Sequence, residues 1–101
     1  MTFVIDLASL FRRDLSRLRR QIDSFPNGDA IWLTPPGVTN SAGNLVLHIE
    51  GNLREYIGRQ LGNLAYVRNR PQEFSSKGLP KEELIRRIAA LCRSIPSIVE
   101  S

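Results

Sequence analysis

The sequence predicts an all-α protein, an up-down helical bundle with three main helices and long connecting loops. Three observations predict it. Apolar residues recur at steps of three and four in three separate stretches, which is the period of one helix face. No stretch alternates apolar and polar residues as a half-buried strand does. Proline, glycine and asparagine gather where the stripes stop. The chain has 101 residues, enough for one compact domain spanning 1–101, and its 42% apolar and 24% charged residues give the balance of a folded chain rather than a disordered one.

The first helix is expected over residues 4–24. Val4, Leu7, Phe11, Leu15, Leu18 and Ile22 form one continuous stripe, and Asp6 in the first turn suits the helix dipole. Pro26-Asn27-Gly28 stops the helix. Asp29–Leu33 is apolar but too short to stand as a helix, and it reads as one turn that lays Trp32 across the core. Thr34-Pro35-Pro36-Gly37 is a rigid turn.

The second helix is expected over 41–61, capped by Asn40 or Ser41. Its apolar side carries Ala42, Leu45, Val46, Ile49, Leu53, Tyr56, Ile57 and Leu61. Leu53 and Ile57 each fall within about 20° of Val46 on a helical wheel, and His48 lies about 200° from Val46. Asn44, Gly51 and Glu55 share that polar side, where Gly51 lets another element come close. Of the remaining amides, Asn40 reads as a cap, and a buried Asn52 would tether a loop backbone. Gly62 is the expected terminator.

Residues 63–78 are long for a loop in a domain this small, with Tyr66, Val67 and Phe74 as anchors. The third helix is expected over 80–95. Pro80 suits its first turn, Leu84, Ile85, Ile88, Leu91, Cys92 and Ile95 keep the helical period, and Pro96 ends it before a frayed tail.

The chemistry-bearing residues are few. His48 is the single histidine, so one copy of the chain cannot build a multi-histidine metal centre. Glu55 is two turns from it, about 10 Å along the axis, and Glu50 points elsewhere. Cys92 is the single cysteine, which excludes an internal disulfide and a cysteine-rich zinc site, and it reads as a small buried hydrophobe. No nucleophile–histidine–acid set emerges, and no apolar run approaches the ~20 residues that span a bilayer. The start lacks a signal peptide's basic flank and long apolar stretch, so a cytoplasmic protein without membrane attachment is expected. The net charge is +4, and Arg12, Arg13, Arg17, Arg19 and Arg20 crowd the first helix. They are read as a solvated face with local ion pairs rather than a nucleic-acid interface.

The run Trp32-Leu33-Thr34-Pro35-Pro36-Gly37-Val38-Thr39-Asn40-Ser41-Ala42-Gly43-Asn44-Leu45 continues through Leu47-His48-Ile49-Glu50-Gly51-Asn52-Leu53-Arg54 to Ile57-Gly58. With Tyr66-Val67-Arg68-Asn69-Arg70 and Glu73-Phe74, it resembles the DinB-like (DNA-damage-inducible, YfiT-like) superfamily of four-helix bundles. The resemblance implies one divalent metal, nickel or zinc, held by one histidine of the second helix and two of the last. It implies activities such as thiol-dependent S-transfer, isomerisation or hydrolysis, a small-molecule thiol as partner, and dimers. His48 matches the second-helix ligand, whereas the fourth helix and its two histidines are absent from the sequence. The expected product is therefore a bundle with an incomplete metal site in this chain, His48 serving as a ligand only if another chain or a missing C-terminal helix completes the site. It would pair as a homodimer to cover the apolar groove that a fourth helix would fill. The alternative from a different class is a non-enzymatic dimerisation or protein-interaction module.

Overall fold

The structure, a computed structural model, describes residues 2–100. They form α1 (Thr2–Asp23), a single turn α2 (Gly28–Ile31), α3 (Ala42–Leu53) and a π-helical segment (Arg54–Arg59). A closing turn α4 (Gln60–Gly62), a short α5 (Arg70–Ser75) and the long α6 (Lys81–Glu100) complete the fold. The described residues contain no strand, so the all-α class is established.

α1 and α6 run antiparallel along their lengths. Lys81 reaches Asp23 at one end, and Arg12 meets Glu100 at 2.7 Å at the other. α1 buries Ala8, Leu15 and Ile22, one every two turns, against α6. Phe11 and Leu18 of the expected stripe pack beside them, whereas Val4 and Leu7 are only half-buried. Asp6 lies beyond the first turn, because the helix already begins at Thr2.

Asn27 caps α2 by accepting from the Ala30 amide at 2.9 Å. Ile31 is fully buried, and the neighbouring Trp32 indole donates to the Leu79 carbonyl at 3.0 Å. The indole lies on Gly43, where a Cβ would sit 2.8 Å from the ring, so the expected turn does lay Trp32 against the core. Pro35 to Val38 closes a β-turn with Gly37 at φ +85°, a left-handed position that suits glycine.

Ser41 caps α3, accepting from the Asn44 amide at 3.1 Å. The helix does not stay α-helical to its end. The wider π turns of Arg54–Arg59 shift the faces that follow, so a wheel drawn at 3.6 residues per turn misplaces them. Leu53 and Ile57 still reach the core, but Leu45, Tyr56 and Leu61 of the expected apolar side are exposed. Asn52 is exposed too, and the buried amide of this helix is Asn44. The terminator is Asn63, at φ 55°, rather than Gly62. Gly62 instead makes room for Ile98, whose nearest atom would lie 2.9 Å from a Cβ.

The expected loop 63–78 contains α5. Asn69 caps it, accepting from the Gln72 amide at 3.2 Å, and Pro71 sits in its first turn. Val67 is 93% exposed and anchors nothing in the core, while Tyr66 and Phe74 are half-buried.

α6 does not stop at Pro96 but continues to Glu100. A mid-helix proline removes a hydrogen bond and crowds the carbonyl four residues back, at a cost of about 3 kcal/mol. Here its ring is fully buried, and the apolar packing of Pro96 and Ile95 offsets part of that cost.

The core has two parts strung along α6. Ile22, Ile31, Val46, Leu47, Leu84 and Ile88 fill one, and Leu15, Leu91 and Ile95 fill the other with Phe11, Leu53 and Ile57 around them. Cys92 touches both and is half-buried. α3 packs on α6 but not closely on α1, which leaves α6 as the shared spine. Among the described residues no helix is long and apolar enough to cross a membrane.

Leu91 sits at the centre of the smaller cluster. Leu91→Ala is expected to destabilise the protein by about 2–5 kcal/mol, read as a lower urea midpoint at unchanged slope.

Candidate functional site

The polar side of α3 receives the strap that runs from Asn63 to Gly78. Asn44 Nδ2 donates to the Glu73 carbonyl at 3.1 Å and to the Ser76 carbonyl at 2.7 Å, which ties both ends of the last turn of α5 to α3. Ser41 Oγ donates to Asn44 Oδ1 at 2.6 Å and so fixes the amide's orientation. Tethering a loop backbone was expected of Asn52; Asn44 performs it.

Glu73 then enters the space left by Gly51, where any Cβ would overlap its carboxylate. The residue is 7% exposed. Arg68 meets it with two hydrogen bonds, Nε to Oε2 at 2.9 Å and Nη2 to Oε1 at 3.1 Å. His48 Nδ1 lies 3.1 Å from Oε1. Burial pushes the Glu73 carboxyl up, but the hydrogen bonds from Arg68 and His48 outweigh it and hold the group below the usual carboxylate range. The same contact pushes the Arg68 guanidinium up. An ionised carboxylate only accepts, so the proton in the His48 contact belongs to Nδ1. The 3.5 Å approach of Arg68 Nη2 to Nδ1 then sets two donors side by side and is a packing contact. The Phe74 ring, 5.0 Å from the imidazole, closes the other side.

Glu50, set aside in the sequence, is the second buried carboxylate. Its oxygens accept from Arg87 Nη1 at 3.1 Å and pair with Arg54 Nη2 at 3.1 Å. Arg87 also bonds Glu83, whose carboxyl is lowered to about 2 by the guanidinium groups of Arg86 and Arg87. Tyr66 lies against Arg54, and burial, followed by the charges of Glu50 and Glu73, pushes its phenol up, so it stays a hydrogen-bond donor. A cleft of about 260 Å³ between α3, the strap and α6 has Glu50, Glu73, Tyr66 and Arg87 in its walls. The helical spacing of Glu50, Arg54 and, on another helix, Arg87 offered no sign that the strap would join them.

A nickel or zinc ion needs at least three protein donors in such a site. Among the described residues no three His, Cys, Asp or Glu side chains gather closely enough to hold one. Both Glu73 oxygens are committed to Arg68, and that guanidinium repels a second cation. Glu55, expected on the same side as His48, pairs with Arg59 instead. Cys92 lines the groove between α1 and α6 rather than this cluster. The residues of a single chain therefore do not fit the metal centre that the resemblance implies. They build an ion-paired clasp that fastens the strap to α3, with His48 Nε2 as its one unengaged donor atom.

Comparison with known proteins adds no relative: no family model, no curated protein and no solved structure matches the chain.

The Glu73 carboxyl is lowered by folding, so its contribution to stability is present above the usual carboxylate range. It is lost as pH falls through the lower, folded-state value. Glu73→Gln is expected to be less stable than wild type by about 1–3 kcal/mol near neutral pH. The gap should close in strong acid. Urea titrations of both proteins across that range check it, and a gap that stays constant into strong acid would contradict the assignment.

Proposed function

We propose that the chain is a DinB-like helical-bundle protein in which the second-helix histidine serves a structural clasp, and that it works by association rather than catalysis. One observation carries this reading. Among the described residues the carboxylate beside His48 is that of Glu73, and Arg68 takes both its oxygens, so the residues around the histidine hold α5 in place. No nucleophile lies among them, and Glu73, ionised at neutral pH, has no proton to give.

Association as a homodimer is part of the proposal. Phe3 and Leu10 of α1, Leu45 of α3, and Tyr56 and Leu61 beyond it are large apolar side chains that are 44–70% exposed. α1 and α3 flank α6 without packing closely on each other, which matches a bundle plan with one position open. A symmetric pairing would bury that surface. Light scattering at low micromolar concentration is expected to return twice the chain mass of 11.4 kDa, and a stable monomer would remove the dimer.

A second reading has its own observation. A metal-bound histidine commonly donates its far ring nitrogen to a carboxylate, as His48 Nδ1 does to Glu73, leaving Nε2 for the ion. On that reading the chain supplies one donor of a nickel or zinc site completed by another chain or by a C-terminal helix beyond this sequence, and the protein keeps the metal-dependent thiol S-transferase or hydrolase chemistry that the resemblance implies. Metal analysis of the purified protein separates the two. Under the clasp reading no stoichiometric nickel or zinc is retained, and His48→Ala costs about 1 kcal/mol of stability. Stoichiometric metal that is lost in His48→Ala would overturn the clasp and establish the second reading.

A further inference from the structure

Away from the clasp, a groove of about 530 Å³ runs between α1 and α6. Small side chains, Ser16, Ala89 and Cys92, line it together with Arg19, Arg20 and Arg93. Asp23, at one end, faces Lys81 at 3.8 Å. The five arginines of α1 were expected to carry local ion pairs. Only Arg12 and Arg13 do, with Glu100 and Asp14. Beyond α1 every arginine but Arg93 meets a carboxylate or an aromatic ring: Arg54, Arg59, Arg68, Arg86 and Arg87 meet glutamates, and Arg70 meets Phe74. Arg17, Arg19, Arg20 and Arg93 meet none among the described residues, and three of these four share the groove.

The helical spacing makes this absence specific. The fold neutralises arginines by setting a glutamate four residues earlier: Glu50 with Arg54, Glu55 with Arg59, Glu83 with Arg87. The corresponding positions in the groove are Ser16, four before Arg20 and three before Arg19, and Ala89, four before Arg93. Both are small and uncharged. Three guanidinium groups are thus left around a vacant volume, with their usual partner positions given to residues that keep the volume open.

We propose that this groove is a binding site for a compact phosphoryl-bearing anion, on the scale of a pyrophosphate group. Planar guanidinium forks match phosphoryl oxygens with paired hydrogen bonds, and several of them together favour a ligand with more than one negative charge. The lining holds no aromatic ring on which a base could stack. The cationic stretch from Ser16 to Asp23 covers only about 10 Å of helix, and the Asp23–Lys81 pair closes one end of it. That length suits a small ligand rather than a track for a nucleic-acid strand.

The test is calorimetric titration of the full chain with pyrophosphate at fixed ionic strength. Arg19→Ala and Arg93→Ala serve as loss variants, and Ala89→Glu is the variant that supplies the missing internal partner. Saturable binding is expected in wild type, weakened about tenfold or more by each arginine removal. Binding should also be lost in Ala89→Glu, whose unfolding midpoint in the absence of ligand equals or exceeds that of wild type, which shows that the loss is not unfolding. Three outcomes would overturn the proposal: no heat beyond that of sodium chloride at equal ionic strength, unchanged affinity in Ala89→Glu, or a single-stranded oligonucleotide that binds more tightly than pyrophosphate with a steep salt dependence.

Discussion

The Glu73 carboxylate can be buried because Gly51 has no side chain and because Arg68 and His48 meet its oxygens. Each condition requires the others. A side chain at 51 would close the space, and without the guanidinium a buried negative charge would be left unpaired, which costs several kcal/mol. Once Glu73 is seated, Asn44 can reach the carbonyls at residues 73 and 76, and the strap between α3 and α6 takes one path. That path brings Tyr66 over Arg54 and completes the walls of the cleft around Glu50. A helix of six residues has too few internal hydrogen bonds to persist alone, so α5 exists through this docking.

Most of the architecture was legible from periodicity. The Phe11, Leu15, Leu18 and Ile22 stripe and the Leu84, Ile88, Leu91 and Ile95 stripe both turn inward, because a long helix with one apolar face has one way to bury it. The cap at Ser41 and the turn that carries Trp32 were legible from local chemistry. The errors share a cause in what one helix period cannot encode. The π segment rotates Tyr56 and Leu61 outward, and nothing in the spacing of the residues announces the extra residue per turn. Pro96 reads as a stop, but its ring is buried in the continuing helix, a packing gain that helical periodicity does not encode.

The site was less legible than the fold. The polar side of α3 and the close approach at Gly51 were visible, since a glycine on a polar helical face has few other uses. The partner that would fill the space was not, because Glu73 and Arg68 sit 20 to 25 residues from His48 in the chain and meet it only after the strap has folded. Long-range ion pairs leave no periodic trace. The same holds for the Glu50 pair with Arg87, which lies 37 residues away on α6. Helical spacing correctly separates Glu55 from His48, and Arg59 holds that carboxylate, but it names no partner for His48.

The single tryptophan ties together parts of the chain that share no helix. Its indole rests on the start of α3 at Gly43, bonds the carbonyl just before α6, and follows directly on the turn that buries Ile31. Any opening of that junction exchanges an apolar, hydrogen-bonded surrounding for water around one chromophore. Intrinsic fluorescence therefore reports the meeting point of three elements without added label, since the aromatic residues of the strap are tyrosine and phenylalanine.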